Sequence, residues 1–147
     1  QRLVNNVFTT VREGLFTQAN LIREAPGATY TLRVIAVNVV GESVPSATAT
    51  FAVPLATSSA PRNLVADTAS QNNRVVFTWQ VPENTGGATA VTYTLEYSTN
   101  NSTWLFLTAT NLLTVTTSTP PKGTTYSYRV VAQTSGGTSS PSNVVTV

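Results

Sequence analysis

The chain has 147 residues, of which 10% are charged and 41% hydrophobic, and it carries no Cys, His or Met. Without Cys there are no disulfides or thiolates, and without His as well there are no ordinary zinc, haem or iron–sulfur sites and no Ser–His or Cys–His nucleophile pair. The net charge is only +2, and Arg2, Arg12, Arg23, Arg33, Arg62, Arg74, Lys122 and Arg129 are scattered with no two adjacent, which argues against nucleic acid, since binding phosphates needs clustered charge.

The 27 Thr and 20 Val favour strands. Val11 to Arg23 is the one helix candidate, with Leu15, Ala19 and Ile22 on a shared stripe, but Gly14 and the β-branched neighbours favour loop plus strand. Ala60–Leu64 opens a strand-rich half. Val75, Phe77 and Trp79 alternate on one face of Arg74–Trp79, and Val91, Tyr93, Leu95 and Tyr97 do so on the next strand. Thr99–Ser102 predicts a turn, Trp104–Leu107 a short strand with Trp104 partly exposed, and Leu113 and Val115 another. Pro120-Pro121-Lys122-Gly123 breaks the chain before a long strand with Tyr126, Tyr128, Val130 and Ala132 on one face. Gly136-Gly137 make a loop, and Val144–Val147 close the chain. Short strands between regularly spaced turns predict an antiparallel sandwich or barrel. No apolar run approaches the roughly 18 residues of a membrane span, so membrane insertion is not expected.

An internal repeat decides the architecture. Shifting the sequence by 96 lays Gly27-Ala28-Thr29-Tyr30-Thr31-Leu32-Arg33-Val34-Ile35-Ala36 over Gly123-Thr124-Thr125-Tyr126-Ser127-Tyr128-Arg129-Val130-Val131-Ala132 without gaps. The match runs on through Gly41 over Gly137, Ser43 over Ser139, Pro45-Ser46 over Pro141-Ser142 and Thr50 over Thr146, giving eleven identities. Upstream, Asn5 falls on Asn101 and Phe8 on Trp104.

The order Gly-x-x-Tyr-x-x-Arg-Val-x-Ala, a Gly loop, then Pro-Ser resembles the end of a fibronectin type III module. Ala60-Pro61-Arg62-Asn63-Leu64 is similar to that family's first strand, and Trp79 stands at its core Trp position. The resemblance implies an all-β, immunoglobulin-like antiparallel β-sandwich in tandem. It puts the C-terminal half of a module in 1–53, a linker in 54–60 and a complete module in 61–147. It also places Tyr30 and Tyr126 at the tyrosine corner, where the hydroxyl bonds back to the backbone. The expected core is Trp79, Tyr93, Leu95, Tyr126, Tyr128 and Val130, with Tyr30 and Val34 in the first copy.

Gln1 aligns with Tyr97, so the first copy lacks the equivalent of Ala60–Glu96, its first three strands, and keeps the last four. Such a half-sandwich leaves an apolar face and unpaired edges open and is marginal for independent folding. The expectation is that upstream residues of a longer or processed chain complete it, as the missing Met also suggests. The competing reading is donation of the strands by a neighbouring chain. Pro54 and Pro61 predict a short, semi-stiff connector.

No catalytic cluster emerges, so no enzyme activity and no cofactor or metal is expected. Glu13, Glu24, Glu42, Asp67, Glu83 and Glu96 are spread along the chain, too thinly for calcium. Asn100-Asn101-Ser102-Thr103 holds two overlapping glycosylation sequons, at Asn100 and Asn101, on a turn. The 134–140 loop with Gly136 and Gly137 occupies the position where some relatives carry Arg-Gly-Asp, a triplet absent here. In the first copy, Val39 and Val40 are candidate contact residues of the equivalent loop. The expected function is a non-catalytic structural or scaffold module pair of a secreted, cell-surface or virion protein, a building block of a filament or sheath. Its partners would be other modules of the same protein or neighbouring subunits, including a homo-polymer. The alternatives are an accessory spacer in a secreted polysaccharide-degrading enzyme, or an adhesin or receptor ectodomain binding through 134–140.

Overall fold

A computed structural model describes residues 1–21, 24–68 and 73–147. They form two compact units, Gln1–Pro54 and Leu55–Val147, and every helix or strand among them is a strand.

The first unit contains β1 (Arg2–Val4), β2 (Val7–Thr9), β3 (Thr29–Leu32), β4 (Val37–Asn38), β5 (Gly41–Glu42) and β6 (Ala49–Ala52). Asn5-Asn6 join β1 to β2 in a two-residue turn with Val4 opposite Val7. Both have positive φ, 49° and 62°, which suits a hairpin turn matched to strand twist and which Asn tolerates better than most residues. The antiparallel order is β2-β1-β3-β6, with β4 and β5 a separate small hairpin.

The second unit contains β7 (Arg62–Asp67), β8 (Arg74–Gln80), β9 (Thr92–Ser98), β10 (Leu105–Thr110), β11 (Thr114–Ser118), β12 (Ser127–Thr134), β13 (Gly137–Thr138) and β14 (Val145–Thr146). One sheet runs β11-β8-β7; the other runs β10-β9-β12-β13, with β14 also on β12. Period-two alternation turns Val75, Phe77 and Trp79 of β8 inward to meet Tyr93, Leu95, Tyr128, Val130 and Ala132 of the facing sheet, with Leu64 of β7 completing the buried core. Two aromatic pairs cross between the sheets. Phe77 lies 4.6 Å from Tyr128, and Trp79 meets Tyr93 edge-on at 5.7 Å, each pair contributing about 0.5–1.5 kcal/mol beyond its buried area.

The edge of β12 is completed in an unusual way. β13 pairs with its end and β14 with its start, while the chain between them carries Pro141, which has no N–H to give. Two serines bridge the gap. Ser139 N–H donates to the Ala132 carbonyl at 2.8 Å while its hydroxyl accepts from Ala132 N–H at 2.9 Å. Ser142 does the same with Val130, at 2.8 and 3.0 Å. Each hydroxyl then donates to the carbonyl of the following residue, Ser140 or Asn143. The first unit repeats the device: Ser43 pairs with Ala36 and Ser46 with Val34, all four distances between 2.8 and 3.0 Å. These hydrogen bonds explain why the two serines recur at a fixed offset.

The first unit departs from expectation in three respects. Val34, expected in the core, is 71% exposed, whereas its counterpart Val130 is fully buried; the sheet that covers Val130 has no equivalent among the described residues of the first unit. Tyr30 is only partly buried, for the same reason. The stretch expected as loop plus strand forms neither helix nor strand over its described part, 11–21, while Ile22 and Arg23 lie outside the described residues. By the repeat offset this stretch corresponds to β10 and β11, and β11 is held by pairing with β8, a strand the first unit lacks. Among the described residues, the first unit consists of the β2-β1-β3-β6 sheet and the β4-β5 hairpin, with no strand at the position corresponding to β11.

The connector is held against the second unit. From Leu55 onward it belongs to the second unit. Ala56 N–H donates to the Gly86 carbonyl at 3.0 Å, and Ser59 exchanges bonds with Asn84 at 2.8 and 3.0 Å. A Cβ on either Gly86 or Gly136 would overlap the Ala56 carbonyl, so backbone approach there requires glycine.

Burial separates the two copies of the serine device energetically. Ser142→Ala strands a buried Val130 N–H and should cost about 1–3 kcal/mol. Ser46→Ala frees an N–H near solvent, so it should cost at most about 0.5 kcal/mol. Amide exchange at Val130 and Val34, with urea denaturation, measures both.

Candidate functional site

Two features of the second unit bring chemically distinct side chains together. The first is on the outer face of the larger sheet. Register places Glu96 of β9 opposite Arg129 of β12 and Phe106 of β10. Arg129 Nε donates to Glu96 Oε2 at 2.7 Å, and its guanidinium lies 4.2 Å from the centre of the Trp104 ring. The ion pair is partly solvated and contributes at most about 1 kcal/mol, and the cation–π contact about 0.5–2 kcal/mol. Together they hold the Arg129 guanidinium between Glu96 and the Trp104 ring, just ahead of β10. The first unit repeats the arrangement: the Arg33 guanidinium sits 3.9 Å over the Phe8 ring while Arg33 Nε donates to Gln1 Oε1 at 2.9 Å. Sequence reasoning aligned Phe8 with Trp104 and Arg33 with Arg129 but did not connect the columns; an aromatic and an Arg both kept at one offset were the available signal.

The second feature is a cleft of about 380 Å³ lined by Tyr97, Leu107, Thr117, Ser118, Pro120, Pro121, Tyr126 and Tyr128. Tyr126 lies 6.0 Å from Tyr97 and 6.5 Å from Tyr128. Burial, then the neighbouring Tyr126 and Tyr97, pushes the Tyr128 hydroxyl above its usual range, and burial alone raises Tyr93. Both therefore stay neutral at physiological pH. The cleft offers aromatic surface and hydroxyls, with no acid or base among its lining residues.

Trp79, Tyr93, Leu95, Tyr128 and Val130 are buried together, and Tyr126 packs against them part-buried. Asn100 and Asn101 are exposed. The Asn100 side-chain oxygen accepts from Ser102 N–H and Thr103 N–H at 3.0 and 2.9 Å and so organises the turn, while Asn101 adopts φ 58°. Val39 and Val40 protrude fully because Asn38 Oδ1 accepts from Val40 and Gly41 N–H and pins the turn beneath them. Gly137 is exposed at the start of β13. Gly136, expected on a contact loop, is covered by Ala56, so the connector already occupies that side of the 134–140 loop. Among the described residues no three His, Cys, Asp or Glu side chains are grouped for a metal.

The fibronectin type III domain family matches residues 59–147. The chain belongs to the fibronectin type III family. It is 34% identical over 96 residues to slow-type myosin-binding protein C of Rattus norvegicus, covering 65% of this chain and 15% of that protein. It is 33% identical over 149 residues to the tyrosine-protein phosphatase Lar of Drosophila melanogaster, covering 97% of this chain and 7% of that protein. The chain thus spans only a small part of either relative. Domains d3–d4 of the rat CD45 extracellular region superimpose with a TM-score of 0.72 at 15% identity, over 96% of this chain and 76% of that one, a likeness of fold.

The two copies of the repeat differ at the tyrosine position. In the first, the Tyr30 hydroxyl accepts from Ala25 N–H at 3.1 Å. In the second, Pro121 stands where Ala25 does and has no N–H, so the backbone bond expected of Tyr126 has no donor at that place and its ring packs into the tyrosine cluster instead.

A tyrosine whose folded pKa is raised stabilises the module fully below the unfolded value and loses that contribution as pH rises through the folded one. Stability should therefore fall above about pH 10, and less steeply in Tyr128→Phe. Urea midpoints across the alkaline range provide the measurement.

Proposed function

We propose that the chain is a non-catalytic spacer and scaffold segment of a longer multi-module protein displayed outside the cell or on a particle surface, its partners being neighbouring modules or subunits. The observation that carries this reading is the connector. Residues 55–60 are hydrogen-bonded into the second module, with Ala56 laid across Gly86 and Gly136, so the chain enters that module along a fixed path. A free, disordered linker does not provide such an entry, and it suits a part whose task is to hold a spacing. The absence of Cys, His and Met leaves little that oxidises in an exposed setting, and the relatives in which similar segments occur are themselves much longer than this chain.

Antibodies raised against the chain should label intact source cells or particles without permeabilisation. Labelling that appears only after permeabilisation would place the protein inside and overturn the surface assignment.

A further inference from the structure

We propose that β10 is a homotypic edge, through which a second copy of this chain adds its own β10 antiparallel to extend the five-stranded sheet across two modules. The inference deepens the scaffold reading by naming a partner for it.

The two sides of the second module are protected differently, one by charge, proline and a side-chain clamp, the other only by the register shift within β10. On one side, β7 carries Arg62 and Asp67 near its ends, and the run from β13 to β14 is interrupted at Pro141. There Asn143 clamps Leu64, accepting from its N–H and donating to its carbonyl, both at 2.9 Å. Charge, proline and a side-chain clamp are the usual defences against edge pairing. On the other side, β10 and β11 end their respective sheets, and among the described residues β10 pairs with β9 alone. No charged residue occurs from Tyr97 to Pro121, a stretch that includes both strands. Leu105 is 50% exposed and Phe106 67%. Leu105–Thr110 is thus a six-residue, uncharged, proline-free strand of leucine, phenylalanine, threonine and one alanine, open at its edge, the composition that favours strand addition.

The occupant follows from the strand's own pattern. An antiparallel pairing centred between Leu107 and Thr108 sets Phe106 opposite Ala109 of the second copy, and the reverse. Both residues are on the outer face, because Phe106 is registered with Glu96 and Ala109 with Thr94, the register shift between Phe106 and Thr108 bringing them to the same side. A large exposed ring therefore meets a small residue twice about the two-fold axis, as an isologous interface requires. With no charge on the strand, no like-charge pair opposes the self-match.

Sedimentation of the full chain, wild type and variants, over about a hundredfold range of concentration tests this. The wild-type mass should rise from 15.5 kDa toward twice that value, with amide protection gained in 105–110. Phe106→Lys and Ala109→Lys, each at an exposed position, should abolish the rise while leaving the thermal midpoint at the lowest concentration, where the wild type is monomeric, unchanged, whereas Val7→Lys on the first unit should leave the rise intact. A wild-type chain that stays monomeric, a dimer that survives both β10 substitutions, or protection gained elsewhere would overturn the proposal. None of these outcomes bears on where the parent protein is displayed, so the scaffold reading stands or falls separately.

Discussion

The larger sheet of each copy rests on a replacement of main-chain partners by serine hydroxyls. A long central strand needs every N–H and carbonyl on both edges satisfied, yet the last strand must pass a proline that breaks the ladder. Ser139 and Ser142 resolve the conflict because a hydroxyl both accepts and donates: it takes the N–H of the central strand and passes its own proton to the next carbonyl along. Only a short side chain reaches from a displaced backbone with this geometry. The core positions of β12, Val130 and Ala132, are the residues those hydroxyls hold, so interior packing and edge chemistry are fixed by the same two side chains.

The first copy separates the local contribution from the global one. Its serine device has distances like those of the second, its arginine sits over an aromatic ring in the same way, and its strands pair in the corresponding order. Yet Val34 faces solvent while Val130 is buried completely. Hydrogen bonding and register therefore survive without the opposing sheet, because both are set within the sheet, whereas burial requires the second layer. The described part of the segment corresponding to β11, residues 18–21, has no strand for the complementary reason: the partner of β11 is β8, in the other sheet.

Much of this was legible in the sequence. Period-two alternation identified the inward faces of β8 and β9, and the offset repeat with Pro-Ser identified the module and its two copies. Other features required coordinates. Alternation says which way Val34 points but nothing about what lies beyond it. The two prolines foretold a stiff connector, but nothing in its small residues says that its backbone lies against Gly86 and Gly136. The tyrosine corner of the second copy fails through Pro121, five positions upstream, a residue that local motif matching does not weigh. The Arg129–Trp104 stack joins residues on separate strands, and only the alignment of two columns hinted at it.

The lie of Ala56 across Gly86 and Gly136 also bears on where one module ends. Family resemblance begins at Ser59, but the folded unit begins at Leu55. A graft excised at the former point would carry two glycines bared to water and a polar seam without its complement. In modular proteins the unit of inheritance and the unit of cohesion need not share a border, and here they differ by four residues that belong, physically, to the module they precede.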